Sequence, residues 1–208
     1  MNSKEIINYL AKKKIPYDFI EHKEVYTAKD LAKATKSFEK EIAKVLILKV
    51  NNKKFIMVVL PGSLAAKLKK IKKFIGGKEI SIATESEMRK LTGFKPGSAP
   101  ALGKFLKLKL IVDKSEEKNK NIIFSAGDYT KSIKIKISNW LKLENPDIFD
   151  FSVVPSIRNK KSKKKQKVTK KPAIKKINNK NKKTIKSGII KKKTKKLAKN
   201  PKVKIKKR

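Results

Sequence analysis

The sequence has no cysteine and only one histidine, His22, among its 208 residues. Without cysteine the chain has no disulfide bond, no thiolate nucleophile and no cysteine-based metal site. A single histidine is weak support for a zinc cluster or a histidine-dependent catalytic triad. The sequence also lacks a phosphate-binding loop, a dinucleotide-binding fingerprint and a nucleophile elbow. We therefore predict that the protein uses no metal and no cofactor.

Long apolar runs are also missing. The longest, at residues 55–60, is far too short to cross a bilayer. Residues 1–10 contain Glu5 and an interrupted apolar pattern, which is unlike a secretory signal. We therefore expect a soluble, cytoplasmic protein with no membrane partner.

Acidic residues are absent from the last part of the chain. Residues 155–208 contain 26 lysine or arginine residues and no aspartate or glutamate, in a chain whose net charge is +41. Lysine enrichment in an AT-rich genome is an alternative explanation for the lysines, but it does not explain the missing acidic residues. Apolar periodicity also ends after Val154, so this segment cannot bury enough apolar area to fold alone. We predict one domain at residues 1–153 and a disordered tail at 154–208 that binds nucleic acid non-specifically.

Helices are predicted at several places in residues 1–153. Apolar spacing indicates helices at 3–13 and 64–74. Two more helices begin at the N-cap residues Thr27 and Thr84, the second with Glu87 in a capping box.

Strands are predicted between these helices. Two apolar runs, at 42–50 and 54–60, are joined by a pair of asparagines and indicate a hairpin. Further short strands are predicted at 17–22, 80–83, 108–112, 122–125 and 132–137. Strands and helices that alternate irregularly, with antiparallel hairpins, are typical of an α+β domain with one core.

Lys44 interrupts the first strand of the predicted hairpin. A lysine in a buried strand is unfavourable unless its ammonium group reaches solvent or an anion. Lys44 either extends outward from a sheet edge or points into a pocket that holds a phosphate. The spacing alone favours neither interpretation.

A second unusual feature is the segment 93–103, which contains three glycines and two prolines. Such a composition produces an irregular backbone that a ligand can approach closely. Its amides could polarise a carbonyl as an oxyanion site. The alternative is a rigid connection between a helix and a strand. His22, likewise, either has a structural role in its strand or contacts a substrate.

An ordered series of motifs resembles the YbaK-type aminoacyl-tRNA deacylases, which include the prolyl-tRNA editing domains. The motifs are HKEVYTA at 22–28, IAKVLILK at 42–49, VVLPGS at 58–63, GFKPGSAPALG at 93–103 and FSAGDY at 124–129. The resemblance covers about residues 1–152. It implies a compact mixed β-barrel flanked by helices, and it implies hydrolysis of the ester that joins a wrong amino acid to tRNA.

The resemblance also implies roles for particular residues. Lys44 and Gly97 correspond to catalytic positions of the family. Substrate contacts are expected from Tyr26, Thr27, Ser98, Ala99, Pro100, Ser125 and Gly127. Ala101 and Asp128 depart from the pattern of many relatives, so the identity of the substrate does not carry over.

From these observations we expect a trans-editing deacylase that removes a small amino acid from mischarged tRNA, with tRNA for proline as the first candidate. Its expected partners are tRNA and an aminoacyl-tRNA synthetase, and the tail is expected to strengthen tRNA binding. One alternative is a non-catalytic RNA- or DNA-binding protein built on a degenerate editing fold. Another is a regulator that docks on a synthetase.

Overall fold

A computed structural model describes residues 2–155 of the chain. Within that range the six α-helices are α1 (Ser3–Lys12), α2 (Ala28–Ala34), α3 (Leu68–Phe74), α4 (Glu85–Thr92), α5 (Gly103–Leu106) and α6 (Ile137–Glu144). The strands of the same range are β1 (Asp18–Glu21), β2 (Ala43–Val50), β3 (Lys54–Pro61), β4 (Ala65–Ala66), β5 (Ile80–Ile82), β6 (Lys109–Asp113), β7 (Asn121–Ser125), β8 (Lys131–Lys136), β9 (Asp147–Phe149) and β10 (Ser152–Val153). The predicted tail lies outside the described residues, apart from its first two.

Local sequence signals position several of these elements as predicted. The Thr27 side chain accepts a hydrogen bond from the Asp30 amide and begins α2. Thr84 and Glu87 form a reciprocal capping box at the start of α4. Gly93 ends α4 with a φ of 74°, in the left-handed region that favours glycine. The predicted N-terminal caps of both helices are therefore confirmed.

The strands form three sheets. The largest has the order β5-β2-β3-β6-β9, in which β6 runs parallel to both β3 and β9. A second sheet has the order β1-β8-β7 and is antiparallel, and a third pairs β10 with β4. The predicted hairpin of β2 and β3 is confirmed, with Val50 opposite Lys54 at its turn.

The α+β class and the flanking helices are confirmed, but the expected β-barrel is not closed. Within residues 2–155, the two larger sheets are joined only by an isolated bridge between Ile42 and Ile123. Strands β5 and β9, at the edges of the five-stranded sheet, are each three residues long. Because β5 pairs only with Leu48–Val50 of β2, no strand covers the first half of β2 on that side. The sheet therefore stays open at this position.

The predicted helix at 64–74 is shorter than expected. Ala65 and Ala66 form β4, which pairs with Val153 and Ser152 near the end of the domain. The helix α3 starts only at Leu68. The first turn of the predicted helix is a strand instead, because Ala65 and Ala66 pair with residues more than eighty positions away. Local spacing does not reveal such a pairing.

Alternation along β2 and β3 divides the interior into two apolar layers. Ile47, Met57 and Val59 face the main core, which is closed by α1 and α6. Leu48 and Val58 face the other side, which α3 covers. Both faces of the five-stranded sheet are therefore buried, which explains the nearly continuous apolar runs of its strands.

Glu116 is a buried acid in the turn after β6. Its side chain is fully buried, and Oε2 accepts a hydrogen bond of 2.9 Å from the side-chain amide of Asn119. Oε1 has no hydrogen-bond partner in the described part of the chain. Burial, with the charge of Asp113, raises the pKa of Glu116 to about 8, although the Asn119 hydrogen bond acts in the opposite direction.

We expect Glu116→Gln to remove a pH-dependent loss of stability. The fold favours the protonated acid, so the free energy of unfolding should fall as pH rises from 4.5 towards about 8. The slope per buried group is about 1.4 kcal/mol per pH unit. Urea unfolding between these pH values measures the slope, with the exposed neighbour Glu117→Gln as control. Identical slopes in the Glu116→Gln variant and the wild type would contradict this prediction.

Candidate active site

A cavity of about 310 Å³ lies beside the uncovered first half of β2. The loop before α2, the turn after β7 and the segment between α4 and α5 form its other walls. The cavity therefore lies at the open edge of the sheet, where β5 does not reach.

Six of the nine predicted site residues line this cavity. They are Tyr26, Thr27, Lys44, Gly97, Ala99 and Ser125. These residues come from four separate regions of the sequence, so the fold brings them together.

The other three predicted residues are not among those that line the cavity. Ser98 is buried, and its amide and its hydroxyl both donate to the Lys95 carbonyl at 3.0 Å. Pro100 is buried beside it. Gly127 has a φ of 100°, and a β-carbon there would lie 2.9 Å from the Phe94 ring. These residues shape the walls of the cavity from behind.

Lys44 reaches the cavity from β2. Its ammonium group donates a hydrogen bond to the Leu64 carbonyl, at the end of the turn that follows β3. Burial lowers the pKa of Lys44, and the charge of Glu39 offsets this in part. Lys44 is therefore one of the residues that line the cavity, while its ammonium group is bound to a carbonyl of the turn after β3.

The segment between α4 and α5 contributes backbone amides. Gly97 has a φ of 80°, which a glycine adopts without strain. In the described part of the chain, the amides of Gly97 and Ala99 donate no hydrogen bond to a protein acceptor. The Ser98 amide, in contrast, is already bound to Lys95. Gly97 and Ala99 are therefore the two amides that could polarise a carbonyl.

Contacts at both ends hold this segment in position. Tyr129 donates from its hydroxyl to the Pro96 carbonyl at 2.8 Å. Trp140 donates from its indole nitrogen to the Ala101 carbonyl at 2.7 Å, in the core. Ala101, which departs from the family pattern, is fully buried.

Asp128 is the second departure from the family pattern, and it lines the cavity. Its Oδ1 accepts hydrogen bonds of 2.8 Å from the amide and the hydroxyl of Thr130. Its Oδ2 lies 3.8 Å from the Lys131 ammonium. The carboxylate is therefore held by its own turn.

Sequence patterns did not identify Ser132, which lines the cavity from β8, and left the role of His22 open. His22 Nε2 lies 2.9 Å from the Ser132 hydroxyl, and Nδ1 lies 2.8 Å from the Lys23 carbonyl. Ser132 pairs with Ile20 on one side and with Ser125 on the other. These pairings join distant parts of the chain, so local spacing carries no signal for them.

Two tyrosines stand at the mouth of the cavity. Tyr26 is 68 % exposed, and its ring centroid lies 4.7 Å from that of Tyr129. Exposed aromatic rings of this kind can stack on a nucleic-acid base. Tyr129 was also missed by the sequence patterns.

Among residues 2–155, no group of three acidic or histidine side chains is arranged to hold a metal ion. In the same range no helix has the length and apolar character needed to span a bilayer. The polar groups of the residues that line the cavity include one ammonium group, backbone amides, hydroxyls, an imidazole and the Asp128 carboxylate.

Comparisons with known proteins found relatives of this chain. The model of the aminoacyl-tRNA editing domain family matches residues 22–143, a range that contains every residue lining the cavity. The Ser/Thr-tRNA deacylase ProXp-y of Escherichia coli K12 is 31 % identical over 113 residues, which are 52 % of this chain and 68 % of that protein. The same deacylase from Escherichia coli O157:H7 matches equally.

Solved structures share the fold at low identity. One, proposed to be a trans-editing enzyme for prolyl-tRNA synthetase, has a TM-score of 0.67 at 22 % identity and covers 73 % of this chain and 96 % of its own. The hypothetical protein APE2540 has the same TM-score at 20 % identity and covers 72 % and 99 %. These likenesses support the fold alone. The family match and the curated relatives carry more weight: the chain belongs to the aminoacyl-tRNA editing domain family, which confirms the expected class of enzyme, an aminoacyl-tRNA deacylase.

Proposed function

We propose that this protein hydrolyses the ester bond of mischarged aminoacyl-tRNA in trans and releases a small amino acid. The observation that carries the proposal is that Lys44, Gly97 and Ala99, from distant parts of the chain, all line one small cavity. The Ser/Thr-tRNA deacylase activity of the Escherichia coli relative supports serine and threonine as acyl groups. The tRNA for proline is the first tRNA to test. This activity belongs to the cytoplasm, where tRNA is charged.

The proposed mechanism needs no covalent nucleophile, because an aminoacyl ester is already activated. Lys44 binds the 3′-terminal phosphate and fixes the position of the acyl group. The amides of Gly97 and Ala99 polarise the acyl carbonyl. A water oxygen then bonds to the acyl carbon, with help from the adjacent ribose hydroxyl. The bond from that carbon to the ribose oxygen breaks, and the ribose oxygen takes a proton.

A deacylation assay over a panel of mischarged tRNAs tests this proposal. The purified protein is incubated with tRNAs that carry radiolabelled serine, threonine, alanine or cysteine, and the loss of ester is followed over time. We expect at least one of these esters to be hydrolysed faster than its spontaneous rate, while correctly charged prolyl-tRNA persists. If no ester is hydrolysed while tRNA still binds, the non-catalytic RNA-binding alternative is favoured.

A synthetase is the second proposed partner, because it releases the mischarged tRNA that the protein would edit. Binding of the full chain to purified prolyl-tRNA synthetase, with and without tRNA, tests this. Binding only in the presence of tRNA would indicate that the two proteins share a substrate and do not contact each other.

We further propose that the 26 positive charges of residues 155–208 raise tRNA affinity without contributing to specificity. Deleting residues 155–208 should weaken tRNA binding and flatten its dependence on salt between about 50 and 200 mM, because fewer counterions are released. Fluorescence anisotropy with labelled tRNA measures both effects.

The single-turnover rate at saturating tRNA is the control for this deletion. It should remain near that of the full chain, because the cavity residues all lie between His22 and Ser132. Loss of the chemical step in the shortened protein would mean that the tail belongs to the active site.

A further inference from the structure

The cavity has an exposed mouth and a buried floor. Tyr26, at the mouth, is 68 % exposed, whereas Ser132 is 1 % exposed. Ser125 and Ser132 are directly opposed residues of β7 and β8, and both line the cavity. Opposed residues of antiparallel strands have β-carbons about 5 Å apart. The two serine side chains therefore form one polar patch at the buried end, called here the serine floor.

Both hydroxyl groups of the serine floor already donate a hydrogen bond within the protein. The Lys23 carbonyl can only accept a hydrogen bond, so His22 Nδ1, at 2.8 Å from it, is the donor. In the neutral imidazole Nε2 is then an acceptor, and the Ser132 hydroxyl donates a hydrogen bond of 2.9 Å to it. Ser125 donates its proton to the Asp128 carbonyl at 2.6 Å. Both serine oxygens therefore retain only the capacity to accept a further hydrogen bond.

Because the serine floor offers only hydrogen-bond acceptors, it favours a ligand that carries a hydrogen-bond donor. Most neighbouring side chains are apolar, among them Val25, Leu31, Ile42 and Val45. An occupant without a donor at this depth leaves a buried hydroxyl oxygen unpaired, which is unfavourable. A site built to bind a substrate hydroxyl discriminates strongly against an analogue that lacks it.

We infer that Ser132, oriented by His22, reads the side-chain hydroxyl of the acyl group, so that the site selects seryl and threonyl esters over alanyl esters. This inference rests on the proposed deacylase function. The adenosine end of the substrate lies towards the tyrosines at the mouth, and the small acyl group occupies the buried end. Ser132 is the specificity-determining residue, and His22 is a positioning residue that acts through it.

The test compares kcat/KM for seryl-, threonyl- and alanyl-tRNA in wild type and in Ser132→Ala. We expect the variant to lose about 10- to 100-fold more activity on the seryl and threonyl esters than on the alanyl ester. Ser138→Ala, a serine exposed at the start of α6, is the matched control and should keep the wild-type ratios. Thermal melting of each variant establishes that it folds, and Ser132→Cys replaces Ser132→Ala if the latter does not.

His22 provides a second readout. His22→Ala should reduce the selectivity for hydroxyl-bearing esters, and His22→Gln should restore part of it, because a glutamine oxygen can accept the Ser132 proton. A merely structural role for His22 would lower activity on all three esters equally.

Four outcomes would overturn the inference. An equal fall on all esters in Ser132→Ala would mean that the serine oxygen binds the α-ammonium group common to every substrate. Unchanged kcat/KM on every ester would mean that the acyl group lies elsewhere in the cavity. A wild-type protein that hydrolyses the alanyl ester best would contradict the inference while leaving the proposed deacylase function intact. If wild type hydrolyses none of the esters, both fail.

Discussion

Replacing Lys44 by methionine is expected to lower the rate of deacylation by at least about 100-fold. Methionine keeps the apolar stem of the side chain but removes the charge that we propose binds the terminal phosphate. Without that contact, the acyl carbonyl is no longer held against the amides of Gly97 and Ala99. Single-turnover deacylation of a mischarged tRNA at saturating enzyme measures the loss of the chemical step separately from the loss of affinity.

Lys49 supplies the matched control. It lies on the same strand, and its ammonium group is 2.6 Å from Glu87, outside the cavity. Lys49→Met removes the same charge from the protein and should leave the single-turnover rate close to that of wild type. A Lys44→Met variant that melts normally and keeps the wild-type rate would refute the role proposed for Lys44.

Replacing Asp113 by alanine is expected to reduce the free energy of unfolding by about 3–5 kcal/mol. Asp113 is 1 % exposed and ends β6. Its carboxylate accepts hydrogen bonds from the amides of Phe151 and Ser152, at 2.8 and 2.7 Å, and from the Ser152 hydroxyl at 2.9 Å. It also accepts hydrogen bonds from the amide and the hydroxyl of Ser115. Alanine would leave buried amides without an acceptor.

Urea unfolding of Asp113→Ala measures this effect, with Asp113→Asn as the conservative comparison. Asparagine keeps one acceptor oxygen and the shape of the side chain, so its loss of stability should be intermediate. A loss below about 1 kcal/mol in Asp113→Ala would show that the chain end closes over the core without this carboxylate.

The Asp113 carboxylate also makes the free energy of unfolding depend on pH. Burial acts to raise the pKa of Asp113, but hydrogen bonds from Ser115, Phe151 and Ser152 outweigh it and hold the pKa below 3.8. The stabilisation is therefore fully present above the ordinary aspartate range and is lost as pH falls through the lowered pKa. Asp113→Asn should unfold with a weaker acid dependence than wild type. The pH dependence from Asp113 is opposite in sign to that from Glu116, because the contribution of Glu116 to stability is lost as pH rises.

Sequence patterns predicted those parts of the fold that depend on neighbouring residues. The caps at Thr27 and Thr84 are contained within four residues each, and the hairpin of β2 and β3 is joined by a short turn. The start of α3 was wrong because Ala65 and Ala66 pair with residues near the end of the domain. The expected mixed β-barrel is not closed, since closure depends on how far one edge strand extends along another.

The residues of the candidate site also divide into those that local sequence marks and those that only long-range pairing brings together. Lys44 and Gly97 stand out in the sequence, as a charge within an apolar run and a glycine within an irregular segment, and the family resemblance supplied the roles predicted for them. Ser132 is an ordinary residue at the start of an ordinary strand. Only the registers of β8 with β1 and β7 bring it beside His22 and Ser125. Long-range register is not encoded in any short window of sequence.

The hydrogen bond from Trp140 to the Ala101 carbonyl gives the protein an internal optical probe. Trp140 is the only tryptophan in the chain, so the indole emission comes from a single environment. That indole is fully buried and bound to the segment that carries Gly97 and Ala99. A shift of this segment when a substrate enters would change the polarity around the indole nitrogen, so occupancy of the cavity becomes readable by fluorescence without any label.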